Sequence, residues 1–215
     1  MALIGVRRSL LHKRAITTTV TTTTLDPVNK GASQTLSNGN LTLTGSGGNG
    51  IARSIASHAS GSGKYYFEVT MGTCTNAGVG FVNNAEVLTA GWIGDSPNTA
   101  ANLTAGGWSG DTSGTITGPA LVSAHVYGLA IDLSSATKAV WILDITGGTG
   151  QWNANATANP ATGVNGNVLT VAGLIFVSNQ PIYAGGSCNS AANTMTFNFG
   201  ATAYAGTPPS GFGNW

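Results

Sequence analysis

From Leu41 onward, apolar and polar residues alternate with a period of two, which sends successive side chains to opposite faces of an extended strand. In the stretch KYYFEVTM, Tyr65, Phe67, Val69 and Met71 share one face while Lys64, Tyr66, Glu68 and Thr70 share the other. The first set is the predicted core face. AGVGFV continues the pattern through Val79 and Phe81, and Gly78 and Gly80 leave room for another strand or a large side chain to approach. Residues 83–119 are rich in Gly, Asn and Trp and read as loops with short strands. HVYGLAIDLSSATKAVWILDI predicts a hairpin. Tyr127, Leu129, Ile131 and Leu133 alternate before its polar turn, and Trp141, Leu143 and Ile145 alternate after it. GNVLTVAGLIFVSNQPIYAGGS supplies two strands on either side of Gly173. NTMTFNFG turns Met195, Phe197 and Phe199 inward and Thr194, Thr196 and Asn198 outward. No segment carries a helical stripe with a cap. About ten short strands with glycine-rich connections predict an all-β fold, a sandwich of two packed antiparallel sheets.

Composition adds an arm to this body. The chain has 215 residues, suited to one large all-β domain, and only 7% are charged, so solubility rests on neutral hydroxyl and amide groups. The net charge of +1 hides an asymmetry: Arg7, Arg8, Lys13, Arg14 and Lys30 all precede residue 31, leaving a mildly acidic body. Residues 1–30 read as an extended, basic and Thr-rich arm and residues 31–215 as the sandwich. The tract from Thr17 to Thr24, broken only by Val20, favours extended chain because β-branched side chains are restricted at χ1. The arm is either a disordered tail or a docking peptide, with Arg7, Arg8, Lys13 and Arg14 as its anchoring residues. Its apolar residues precede the arginines and Leu10-Leu11 is cut off by His12, the wrong order for a secretory signal. No apolar run is long enough to span a membrane. Clustered bases without interleaved aromatics make nucleic acid a poor partner. Cys74 and Cys188 are the only cysteines and read as free buried thiols, with one bridge between strands as the alternative.

Candidate chemistry is sparse. GSGGNG, residues 45–50, satisfies G-x-G-x-x-G, but no helix follows to face a phosphate, so it reads as a turn between strands. Ser135 and Lys138 spell S-x-x-K in a hairpin turn, where the motif lacks its helix. His58 and His125 read as structural or surface residues. A repeated pattern, GWIGDS from Gly91 and GWSGDT from Gly107, puts Trp92 three residues before Asp95 and Trp108 three before Asp111. A ring beside a carboxylate suits a saccharide, because the ring covers the apolar face of a pyranose while the acid accepts hydroxyl hydrogen bonds. The alternative is that these tryptophans pack under loops and the aspartates cap their own turns. Trp152 with Gln151, Asn153 and Asn155 forms a second polar-aromatic patch. Trp92, Asp95, Trp108, Asp111, Trp152 and Asn153 are therefore the candidate ligand-binding residues. No catalytic residue, metal or cofactor is assigned. An enzyme would use Asp95, Asp111 or, less well, Glu68 as a pair of acids.

GKYYFEVT followed by GVGFV, the pair VYGLAIDL and AVWILDI, PIYAGGS, and the ending TFNFGATAYAGTPPSGF resemble, in that order, the landmarks of the SPRY domain, a bent concanavalin-like β-sandwich. The resemblance covers about residues 36–212. It departs where the hairpin usually ends in an aromatic-Asn-Gly turn: here Asp144 is followed by the longer polar insertion ITGGTGQWNANATANPATG. The NFG ending before Pro-Pro-Ser-Gly-Phe is closest to SPRY-like domains of bacteriophage structural proteins. That resemblance implies a non-enzymatic recognition module of a virion (capsid, tail or fibre), with the arm docked on other virion proteins. The sandwich would bind a host-surface glycan or protein, and repeated copies imply a homo-oligomer. A lectin-like hydrolase and a free-standing protein-binding SPRY module are the alternatives.

Overall fold

Fourteen strands are described: β1 (Leu25–Lys30), β2 (Gln34–Ser37), β3 (Thr42–Gly45), β4 (Ala52–Ser54), β5 (Lys64–Met71), β6 (Ala77–Asn83), β7 (Thr99–Leu103), β8 (Trp108–Gly110), β9 (Val126–Asp132), β10 (Ala139–Asp144), β11 (Asn167–Val168), β12 (Ile182–Cys188), β13 (Thr194–Asn198) and β14 (Gly213–Asn214). Two single 3-10 turns, Trp152–Ala154 and Pro160–Thr162, are the helical content of the described residues. The computed structural model describes residues 22–110, 117–134, 138–169 and 180–215. Arg7, Arg8, Lys13, Arg14, Asp111, Ser135 and most of the segment between β11 and β12 lie outside them.

The strands form two sheets, ordered β1-β4-β12-β6-β7-β8 and β11-β10-β9-β5-β13-β3-β2, with β14 added to β5. Pairing is antiparallel except between β14 and β5. The alternation in β5, β9 and β13 sets their inner faces as expected. Phe67, Val69, Met71, Tyr127, Leu129, Ile131, Met195 and Phe197 meet Val79, Phe81, Ala184 and Cys188 of the facing sheet in one core. At its centre Phe67 stands edge-on to Phe81 at 5.7 Å between centroids and lies beside Phe199 at the same distance. Each ring buried this way contributes roughly 1.5–3 kcal/mol. Gly80 allows the close approach of β7, since a Cβ there would fall 2.1 Å from the Ala100 carbonyl oxygen.

Three features differ from the expectation. Leu25–Lys30, assigned to the arm by composition, form β1 and pair with β4, and Leu25 is fully buried. In β10 it is Val140 and Ile142 that enter the inter-sheet core, while Trp141 points to the outer face. Register requires this, because Val140 sits opposite Ile131 and Ile142 opposite Leu129, and directly paired residues share a face. Finally, the outer face of β5 is not solvated. Tyr66 and Glu68 are 1% and 3% exposed, since Trp152, Ala158, Tyr204 and Phe212 pack over Tyr66, Ala130 and Trp141. The long insertion after β10 and the segment after β13 therefore make a partial third layer.

Cys74 and Cys188 are free and buried. Burial pushes the Cys188 thiol up to about 12 and raises Cys74 as well, so neither is a reactive thiolate at neutral pH.

Candidate functional site

The loop between β6 and β7 carries Trp92 and Asp95 and is fastened to the outer face of the six-stranded sheet. Ile93 is fully buried there with Ile51, Val82 and Ala101. It fits because Gly78 has no side chain; a Cβ at that position would come within 2.9 Å of Ile93 Cγ2. Hydrogen bonds fix the same turn from three directions. Ile93 N donates to Ser187 Oγ at 2.9 Å, Gly94 N to Thr99 Oγ1 at 2.9 Å, and Ser109 Oγ to the Gly94 carbonyl at 2.7 Å. The half-buried Trp92 thus projects from a rigid base. It lines a groove of about 320 Å³ with Thr75, Asn76, Ala77, Leu103, Thr104 and Ala105, none of which is charged.

Asp95 is exposed, but one of its oxygens, Oδ2, accepts the Trp92 N–H at 3.0 Å and closes its own turn. The two copies of the repeat do come together, through the Ser109–Gly94 hydrogen bond, yet their tryptophans part. Trp108 is 2% exposed, pointing into the core from β8. Its Nε1 donates to Asn153 Oδ1 at 3.1 Å, and Oδ1 also accepts Ile142 N at 3.0 Å. Asn153 Nδ2 donates to the carbonyls of Val140 at 3.2 Å and Asn165 at 3.3 Å. Trp108 and Asn153 are spent on each other inside the protein, which leaves neither open to an external ligand. Trp152 lies on the opposite outer face, half-buried, 6.5 Å from Tyr66.

Glu68 is also occupied. Oε1 accepts from the Tyr66 hydroxyl and Gly206 N, and Oε2 from Ala205 N, all at 2.8 Å. Its carboxylate holds the covering segment down, and burial and this hydrogen bond raise the Tyr66 phenol far above its ordinary value. His125 Nδ1 lies 2.8 Å from Asp144 Oδ2, a pairing made by the β9–β10 register, which brings the two ends of the hairpin together. Among the described residues no hydroxyl is bonded to the other nitrogen of His125. No group of three His, Cys, Asp or Glu side chains among the described residues is placed to hold a metal. No described helix is long and apolar enough to cross a membrane.

His58 stacks on Tyr65 at 3.5 Å and meets the edge of Trp215 at 4.7 Å, and its Nε2 is buried without a partner. Burial lowers its pKa to about 4. Since the unfolded imidazole titrates near 6.5, its neutral form stabilises the fold fully above that pH, and the contribution is lost as pH falls from about 6.5 to about 4. Discounted for partial exposure, the loss is about 1–2 kcal/mol. Urea unfolding of the parent and of His58→Phe across this window measures it. The parent is expected to lose more stability than the variant, and parallel curves would exclude the effect.

No family model matches the sequence, and no curated protein is similar to it at a significant level. Among solved structures the chain is similar to the SPRY domain of human HERC1, with a TM-score of 0.54 over 83% of this chain and 99% of that one at 12% identity. The fold is that of a SPRY domain. It is also similar to the TRIM65 PSpry domain, with a TM-score of 0.53 over 82% of this chain and 92% of that one at 17% identity. At such identities the likeness speaks for the SPRY sandwich and for nothing finer.

Proposed function

We propose that this chain is a non-enzymatic recognition module of a bacteriophage virion. In this reading the arm docks on the particle and the SPRY-like sandwich binds a protein or a host-surface glycan at the Trp92 groove. The observation that carries the binding reading is a half-exposed tryptophan on a loop held by three hydrogen bonds, beside a groove without charged groups. A pre-positioned ring loses little freedom when it is covered, which is how aromatic anchors concentrate binding energy. The acids that a hydrolase would use favour the same reading where they are described. Asp95 closes its own turn and Glu68 fastens the covering layer. The virion assignment is supported by the composition, by the Thr-rich basic arm and by the resemblance of the NFG ending. Copies repeated on a particle would multiply weak contacts by avidity.

Trp92→Ala is expected to weaken binding of the full chain to host cells by about 30-fold or more, with little change in melting temperature. Binding should also vary only weakly with salt, because no ion pair carries it. Equal binding by parent and variant would remove the Trp92 groove from the account. For the arm, deletion of residues 1–21 stops short of β1 and spares the sheet. Incorporation of the shortened chain into particles as efficiently as the parent would refute the docking role.

A further inference from the structure

On the outer face of the eight-stranded sheet, a second groove, of about 460 Å³, opens beside the insertion that follows β10. Its base is a cross-strand row, because Lys64 of β5 and Ala139 of β10 both pair with Asp132 of β9. Small Ala139 leaves space in that row, and Trp141, one step along the same face of β10, forms the floor. The far wall is the loop with Thr162, Asn165 and Gly166. Gly166 lies flat on the indole; a Cβ there would come 2.4 Å from Trp141 Cζ2.

The polar groups of this groove are held in place by the protein. Asp132, 4% exposed, takes the Ser134 N–H at 2.9 Å and hydroxyl at 2.7 Å on Oδ1, and Lys64 Nζ at 3.1 Å on Oδ2. Burial works against its charge, but the hydrogen bonds from Ser134 and Lys64 prevail and hold the carboxyl below its ordinary value. Lys64 is thereby neutralised and positioned, yet an ammonium has three N–H donors and Asp132 Oδ2 faces only one. Across the groove Asn165 Nδ2 donates to Thr157 Oγ1 at 2.6 Å, which orients the amide, while its Oδ1 accepts no hydrogen bond from the described residues. Its backbone, at a φ of 48°, is in the left-handed region that asparagine tolerates.

From this geometry we propose that the groove is a saccharide-binding site, distinct from the Trp92 groove. Fixed donors from an ammonium whose charge is already cancelled, a free amide oxygen, the Thr162 hydroxyl and bare glycine backbone match a ring bearing hydroxyls that both donate and accept. An anion would meet the Asp132 carboxylate, and a cation would meet Lys64, so the groove selects a neutral polyol. Its volume falls in the range of small-ligand pockets. The inference deepens the recognition reading by naming a ligand class, but it stands on its own residues.

Titration of the ¹⁵N-labelled full chain with methyl mannoside, methyl galactoside, N-acetylglucosamine and maltose tests it. At least one sugar is expected to shift the amides of Gly163, Asn165 and Gly166 at millimolar concentration. Asn165→Gly keeps the backbone conformation and removes the free oxygen, so it should weaken that sugar about tenfold; Thr162→Val provides a second, surface variant with the same expected direction. Absence of shifts with all four sugars overturns the proposal. So do shifts confined to Trp92 and its neighbours, or binding that Asn165→Gly leaves unchanged. Capture of a peptide instead of a sugar in this groove also overturns it. The Trp92→Ala experiment is independent, so the failure of one reading does not pass for the failure of the other.

Discussion

Asn153→Ala is expected to lower the unfolding free energy by about 3–5 kcal/mol, among the largest losses for a single polar side chain in the protein. Where β11 stops opposite Val140, no further strand pairs with β10 on that edge among the described residues, and the Asn153 amide takes the place of one by accepting Ile142 N and donating to the Val140 carbonyl. The same oxygen accepts from Trp108 of the other sheet. Truncation would strand Ile142 N, the Val140 carbonyl and Trp108 Nε1 in a water-poor interior, each at about 1–3 kcal/mol, with partial relief from relaxation. Residue 153 also has a φ of 52°, which alanine adopts less readily than asparagine. Urea denaturation with a two-state fit measures the loss. Asn153→Asp keeps the acceptor and gives up the donor, so it should retain the Trp108 contact while breaking the one to Val140. A loss below about 1 kcal/mol in the alanine variant would mean that β10 finds another partner and that Asn153 is dispensable.

Trp215→Ala should cost a comparable 3–5 kcal/mol, by a different route. Its indole is 5% exposed and lies 5.9 Å from the Phe67 ring and 5.6 Å from the Phe81 ring, so it touches aromatic residues of both sheets. Nε1 donates to Ser54 Oγ on β4 at 3.0 Å, while its backbone N–H donates to the Tyr66 carbonyl on β5 at 3.0 Å. The residue therefore closes one end of the sandwich and also shields His58. Removal leaves a cavity that the rigid sheets cannot fill, and water would gain access to the imidazole. Two readouts separate these consequences. Thermal unfolding should shift downward, and the His58 pKa, followed by NMR, should rise from about 4 toward its ordinary value. Trp215→Phe should restore most of the stability, because the ring volume matters more than the single Ser54 hydrogen bond. A variant with unchanged stability and an unchanged His58 titration would disprove the plug.

The sandwich itself was legible in the chain. Strands β5, β9 and β13 alternate cleanly because one side of each meets the inter-sheet core, and Phe67 and Phe197 are buried as that alternation demands. β10 was harder, since Ala-Val-Trp-Ile-Leu-Asp is apolar at almost every position and buried on both faces. Such a strand has no period to read, and only its register against β9 turns Val140 inward and Trp141 outward.

The binding candidates divide in the same way. Trp92 and Trp108 stand in nearly identical hexapeptides, yet one lines an open groove and the other is sealed in the core. Local sequence sets which faces a strand or turn presents, because side-chain direction follows from backbone geometry within a few bonds. Whether a face meets water, a second sheet or a distant loop depends on contacts between residues far apart in the chain. So the alternating pattern determined the two-layer β architecture, and the assembled tertiary structure alone decided that Asn153 and Glu68 are internal fasteners while Trp92 stays half-buried at the edge of a groove.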